Sequence, residues 1–275
     1  VAKREDRRGS RFGTLLAVRE LSSLIMFAVV VLIFYVISNT FLSKDNISVI
    51  LETVPELGIV AAGITVLMIN GEFDLSVGSV FALAPIVTAM LINAHFPAFA
   101  ATALMLGFCC GIGALNGVIT LRFTIPSFIT TLGMMMVWRG FILLITGGWP
   151  PEFPAEALPV KLAVVGKLGF IYGSLVWYAE ITVFLWILLE RTRFGNWMFA
   201  TGGNIQAARV LGINTIRVKL TGFIIASLLA GFAGIIQGFR LGALVPSAGT
   251  GLELDCIAAS VIGGTFLTVG IGTVI

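Results

Sequence analysis

Eight stretches of this chain read as apolar spans, seven of them over lengths that match a bilayer, and this pattern restricts the fold more than any other feature. They cover about 21–39, 47–69, 75–92, 98–121, 127–146, 174–190, 218–239 and 256–267. A hydrocarbon core takes about 20 apolar residues in a helix, and a helix satisfies its own backbone polar groups where no water can. A ninth, glycine-rich segment starts near Val269 and runs to Ile275. The expected fold is therefore all-α: a polytopic integral membrane helix bundle with at least eight transmembrane spans. Composition closes the alternatives. Of 275 residues, 58% are hydrophobic and 11% charged, against about 25% charged in a soluble domain. That leaves too little polar surface for a water-soluble enzyme, a disordered chain or a nucleic-acid-binding protein.

Charge placement orients the bundle. Alternating sides from a cytoplasmic N-terminus puts Lys3, Arg4, Arg7, Arg8, Arg11, Arg19, Arg122, Arg191, Arg193, Arg209, Arg217 and Lys219 inside. Only Lys44, Lys161 and Lys167 fall outside. This positive-inside bias agrees with the parity of eight spans. The chain divides into a basic cytoplasmic segment, 1–20, and a transmembrane domain, 21–275. It begins at Val1 with no evident cleavable signal peptide. Cys109, Cys110 and Cys256 form no CxxC pair and read as small lipid- or core-facing residues. His95, the single histidine, reads as an interface residue and cannot make a His-rich metal site.

Two connections are long. The outer one, 147–173, holds four prolines and Trp149, which suits either a docking surface for an external partner or a plain lid. The inner one, 191–217, contains a stretch from Asn204 to Leu211 that can form a short helix, with Asn204 as its cap. Within the spans, Gly222, Ala226, Ala230, Gly234 and Gly238 place a small residue at every fourth position, and Gly107/Gly111 and Gly113/Gly117 repeat the spacing. Such stripes let helix backbones approach closely in lipid. Ionisable residues in spans mark function or pairing. Arg139, Glu180 and Glu56 sit at similar depth in the outer half, so Arg139 is expected to pair with Glu180 or Glu56.

Three stretches go beyond composition. The first is Met68-Ile69-Asn70-Gly71-Glu72-Phe73-Asp74-Leu75-Ser76-Val77-Gly78-Ser79, a broken-helix junction in which Asp74 or Ser76 can cap the following helix. The second comprises Gly113-Ala114-Leu115-Asn116-Gly117, then 125–134, IPSFITTLGM, and Arg139-Gly140. The third runs from Thr192-Arg193-Phe194-Gly195 through Gly202-Gly203-Asn204, Ala207-Ala208-Arg209 and Gly212-Ile213 to 251–259, GLELDCIAA, and Gly263-Gly264-Thr265. Together, and in this order, they resemble the permease subunit of bacterial sugar ABC importers of the ribose/xylose/arabinose type. The resemblance covers about 20–275. Asn196 stands where the family often has Arg, and Cys256 where it often has Ala. Members continue through at least one more span, so the C-terminus is expected to be truncated.

The resemblance implies an ABC importer permease fold and a non-catalytic subunit that moves a monosaccharide, such as a pentose, across the bacterial inner membrane by alternating access. The implied partners are a cytoplasmic ABC ATPase, a periplasmic sugar-binding protein and a second permease copy within the lipid bilayer, with no nucleic acid. No cofactor is implied in this chain, ATP and Mg belonging to the ATPase, and no GxxxxGK[ST] loop occurs. The ATPase-coupling loop would involve Arg193, Gly195, Gly202, Gly203, Asn204, Ala207, Ala208, Arg209 and Gly212, with the coupling helix at 201–213. Candidates for the translocation pathway are Asn70, Glu72, Asp74, Asn116, Thr130, Thr131, Glu253 and Asp255, since sugars present hydroxyls. Each of these can instead be a helix cap or an interhelical hydrogen bond. The rival readings are a branched-chain amino acid ABC permease, a stand-alone secondary transporter or channel, and an intramembrane enzyme. The last would need an HExxH pair, a GxSxG serine with a histidine, or paired aspartates at a span centre, and the sequence has none of these.

Overall fold

The structure, a computed structural model, describes residues 19–168, 171–265 and 272. The basic segment 1–18, the end of the eighth expected span and all but Gly272 of the ninth segment lie outside the described residues. In chain order the helices are α1 (Arg19–Ile37), α2 (Lys44–Ile69), α3 (Val77–Asn93), α4 (Ala98–Phe123), α5 (Ser127–Thr146), α6 (Leu158–Val165), α7 (Gly173–Arg191), α8 (Arg193–Gly203), α9 (Ile205–Val210), α10 (Thr215–Leu241) and α11 (Leu252–Ile262). Among the described residues, five helices are long and apolar enough to cross a membrane: α2, α4, α5, α7 and α10. α3 has 17 residues, about 25 Å at 1.5 Å per residue. The apolar part of α1 is Leu24–Ile37, and α11 has 11 described residues. The chain is thus a multi-pass membrane helix bundle.

α10 is the hub, packed against α2, α3 and α4. The reason is its stripe of small residues. An added Cβ at Gly234 would overlap the carbonyl oxygen of Phe81 on α3, and one at Gly238 would meet Pro85. Gly63 of α2 approaches Ala226, while Gly113 and Gly117 of α4 back onto Phe223. Gly107 and Gly111 differ: a Cβ at either would meet nothing within 4 Å. Their spacing repeats on a face of α4 that touches no described neighbour.

The long connection 147–173 carries regular local structure. It folds into a 3-10 turn (Ala155–Ala157), α6, and a two-residue antiparallel hairpin pairing Lys167 with Tyr172 and Leu168 with Ile171. Ala157, Val160 and Val164 are buried, seating α6 on α7 and α10. Trp149 remains exposed. α8 and α9 occupy the opposite end of the bundle. Cys109 and Cys256 are buried in the core, and all three cysteines are free.

Candidate functional site

The α2–α3 junction is built on one carboxylate. Gly71, at φ +76°, takes the left-handed turn that ends α2, a conformation L side chains rarely adopt. Three residues later Asp74 is fully buried. Its Oδ1 accepts from the Ser76 backbone N–H at 2.8 Å and from Ser76 Oγ at 2.6 Å. Ser76 precedes α3 but its hydroxyl makes no cap bond to that helix, because the hydroxyl is turned back to Asp74. From α4, Asn116 Nδ2 donates to Asp74 Oδ2 at 3.3 Å and to Ser76 Oγ at 2.8 Å. Ser227 of α10 approaches Oδ2 at 3.5 Å. Buried polar groups must find partners or carry a desolvation cost of about 1–3 kcal/mol. Here they find one another, apart from Asn116 Oδ1, which has no partner among the described residues, and α4 and α10 are tied to the junction.

The junction backbone hangs from α5. Phe73 N–H donates to Ser127 Oγ at 3.1 Å, and Leu75 N–H to Thr131 Oγ1 at 3.0 Å. On the other flank, Glu72 and Lys219 of α10 form an ion pair of 2.5 Å, each side chain 12% exposed. Asn70 is wholly buried, and among the described residues neither of its amide atoms has a partner. It lies against Gly222, where an added Cβ would sit 2.7 Å from Nδ2.

The candidate pathway residues are therefore divided. Asp74 and Asn116 share one network, which Thr131 joins through Leu75. Glu72 is committed to Lys219. Thr130 is buried with its hydroxyl unpartnered among the described residues. Glu253, at the start of α11, lies over Gly78, while Asp255 is exposed. The contacts of Asp74, Asn116 and Thr131 are interhelical hydrogen bonds. Lys219, Ser227 and Ser127 complete the site and were not singled out from sequence. The available signal was their polarity within or beside apolar runs, Ser227 following Ala226 of the small stripe.

The expected pairing of Arg139 does not form. Arg139 Nη1 donates to the carbonyls of Pro246 and Ala248 at 2.9 and 2.8 Å, and Nη2 approaches Gly78 O at 3.5 Å. No carboxylate lies in ion-pair range of Arg139 among the described residues. Glu56 instead pairs with Arg240 and accepts from Gln237 of α10, and Glu180 is exposed. Similar depth did not imply adjacency. α5 packs on α3 and α4, whereas Glu56 lies on the flank of α2 that α10 covers.

The loop 191–217 forms two short helices. Thr192 caps α8, its Oγ1 accepting from Gly195 N–H at 3.1 Å. Asn204 caps α9, Oδ1 accepting from Gln206 and Ala207 N–H at 3.0 Å each. Gly212, at φ +80°, turns the chain into α10. Gly195 packs against the Leu189 carbonyl, Gly202 against Gly71, and Ala208 is buried, so these three face the bundle. Arg193, Gly203, Asn204, Ala207, Arg209 and Gly212 are exposed. The outward face also carries Val210, 88% exposed, and Leu211, 76% exposed, neither of which the sequence reading had singled out.

The fold is that of a multi-pass membrane helix bundle, and sequence comparison shows its family. Residues 46–275 match the family described as branched-chain amino acid transport system / permease component, and the chain belongs to that family. It is 38% identical over 272 residues to the ribose import permease protein RbsC of Escherichia coli (strain K12), covering 97% of this chain and 84% of that one. It is 33% identical over 255 residues to the xylose/arabinose import permease protein XylH of Sulfolobus acidocaldarius, covering 90% and 70%. To the autoinducer 2 import system permease protein LsrC of Photorhabdus luminescens it is 33% identical over 264 residues, covering 94% and 77%. No solved structure matches the chain.

Proposed function

We propose that this chain is the transmembrane permease subunit of an ABC importer for a monosaccharide or a similarly small, hydroxyl-rich solute. The supporting relatives are import permeases named for ribose, for xylose/arabinose and for autoinducer 2. In this reading the bundle has at least eight spans in the bacterial inner membrane, with a cytoplasmic N-terminus. It acts as a pair of like copies with a cytoplasmic ATPase and a periplasmic sugar-binding protein. ATP and Mg belong to the ATPase, and this subunit performs no covalent chemistry. The family description also names branched-chain amino acids, so leucine is the comparison substrate.

The observation that carries the reading is the pair Val210 and Leu211. Two large aliphatic side chains stand exposed on a capped helix at the end of the bundle. An exposed apolar patch rimmed by polar residues is the mark of an interaction surface. In this reading the ATPase contact lies on the outward face of α9, with Arg209 beside it. Ala208 supports that face from inside. The pathway candidates Asn70, Asp74, Asn116, Thr130, Thr131, Glu253 and Asp255 remain the groups from which a sugar's hydroxyls would take hydrogen bonds in an open state, while Glu72 is held by Lys219.

The test is co-purification with the ATPase of the same system, followed by uptake of labelled ribose, xylose and leucine into proteoliposomes. Val210→Asp and Leu211→Ser should leave membrane insertion intact and abolish co-purification. Sugar uptake dependent on ATP supports the reading. Uptake without any ATPase would identify a stand-alone transporter, and leucine uptake alone would identify an amino acid permease.

A further inference from the structure

The α8–α9 loop and the α2–α3 junction come from distant parts of the sequence, yet the loop approaches the junction at Gly202, and α10, which follows the loop, meets it through Lys219. Gly202, at the end of α8, lies 3.8 Å from where a Cβ of Gly71 would sit. Lys219, one turn into α10, reaches Glu72 at 2.5 Å. The loop is itself fastened to α10: Arg209 Nε donates to Thr215 Oγ1 at 3.2 Å, and Asn214 caps the helix through Arg217 N–H at 3.1 Å. A displacement of α9 must therefore move the first turn of α10 and, with it, Lys219.

From Glu72 the connection continues along the chain. Phe73 and Leu75 hang from Ser127 and Thr131 in the first two turns of α5. Of the five long apolar helices, α5 is the least buried by the other described residues and α10 the most, so α5 is the helix the rest of the described bundle encloses least. Asn70 next to this path keeps both amide atoms unpartnered among the described residues while wholly buried. A buried amide without partners is costly, and a shift of the junction that gave it partners would recover that cost.

We infer that Glu72 and Lys219 are a positioning pair that carries movement of the ATPase-docking loop through the α2–α3 junction to α5. This rests on the importer reading above and adds the route within the bundle. The pair acts through α5 and the junction and takes no part in binding the ATPase. An ion pair suits this role because its two partners remain attached under displacement in a partly buried, low-dielectric setting where attraction is strong.

The experiment uses the complete assembly in proteoliposomes: permease, its ATPase and its binding protein loaded with ribose or xylose. The variant Glu72→Gln/Lys219→Met removes both charges while nearly keeping shape, and so avoids leaving one buried charge alone. The expected result is normal co-purification of the ATPase, an unchanged melting temperature of the permease, and a ratio of stimulated to basal ATP hydrolysis reduced about tenfold, the scale of ordinary coupling between sites. The reversed pair Glu72→Lys/Lys219→Glu should restore the ratio. Full stimulation in the neutral variant overturns the inference. So does a fall in stimulation matched by a fall in melting temperature, which would make the pair merely structural, and so does failure of the reversed pair to restore coupling. If the wild-type chain fails to bind its ATPase, the importer reading falls and takes this inference with it.

Discussion

Glu56 of α2 and Arg240 at the end of α10 form a direct ion pair, Oε1 to Nε at 2.6 Å, with a second contact from Nη2 to Oε2 at 3.1 Å. Glu56 is 2% exposed and also accepts from Gln237 Nε2 at 3.1 Å. The carboxylate is thus fully partnered, in bidentate geometry that a guanidinium supplies and an ammonium does not. Removing one member leaves a buried charge, at a cost of about 3–5 kcal/mol. Arg240→Met should therefore lower the melting temperature of the solubilised protein, and Glu56→Gln/Arg240→Met should recover part of the loss. The exposed pair Lys167–Glu52, at 3.4 Å, is the control, and Lys167→Ala should leave the melting temperature unchanged.

The small stripe of α10 makes a sharper prediction. At Gly234 a methyl group would collide with a backbone carbonyl, that of Phe81, and backbone cannot rotate aside as a side chain can. Gly234→Ala should destabilise the bundle by about 1–3 kcal/mol, the usual cost of overpacking. Gly107→Ala places the same methyl in open space and should be neutral or stabilising by up to about 1 kcal/mol through helix propensity. Thermal unfolding of the two variants in one detergent compares them directly.

Asn204 satisfies two of the free N–H groups at the start of α9. Asn204→Ala should loosen that helix by about 0.5–2 kcal/mol, whereas Asn204→Asp, an equally good cap, should preserve it. Hydrogen exchange at residues 205–210 reports the local effect, and the Ala variant should also bind the ATPase more weakly.

Arg139 holds the carbonyls of Pro246 and Ala248 from α5. Arg139→Met leaves them without that donor, a loss of about 1–3 kcal/mol, and should expose the connection 242–251 to protease. Arg139→Lys should rescue only in part, since one ammonium cannot reproduce the planar fork.

Much of this architecture was legible from sequence because it is local. The five long spans follow from apolar length, the end of α2 from Gly71, and the cap of α9 from Asn204 before a short helical run. The stripe from Gly222 to Gly238 announced a close-packed helix before any partner was known. Other assignments failed because depth along a helix says nothing of its rotation. Arg139 and Glu56 were expected to meet on depth alone, and the helices between them turn the two side chains to different neighbours. Rotation also decides that, within the expected coupling helix, Ala208 is buried while Val210 and Leu211 are exposed.

The sequence by itself determined that this chain lives in a bilayer, where its helices break and which of them can approach closely, because hydropathy, backbone conformation and side-chain size are properties of short segments. Only the tertiary structure decided that Asp74 would gather Ser76, Asn116 and Ser227, that Glu72 would meet Lys219 and that Glu56 would meet Arg240. Those choices depend on the azimuth of each helix in the packed bundle, which is fixed by many simultaneous contacts around α10 and by no single stretch of chain.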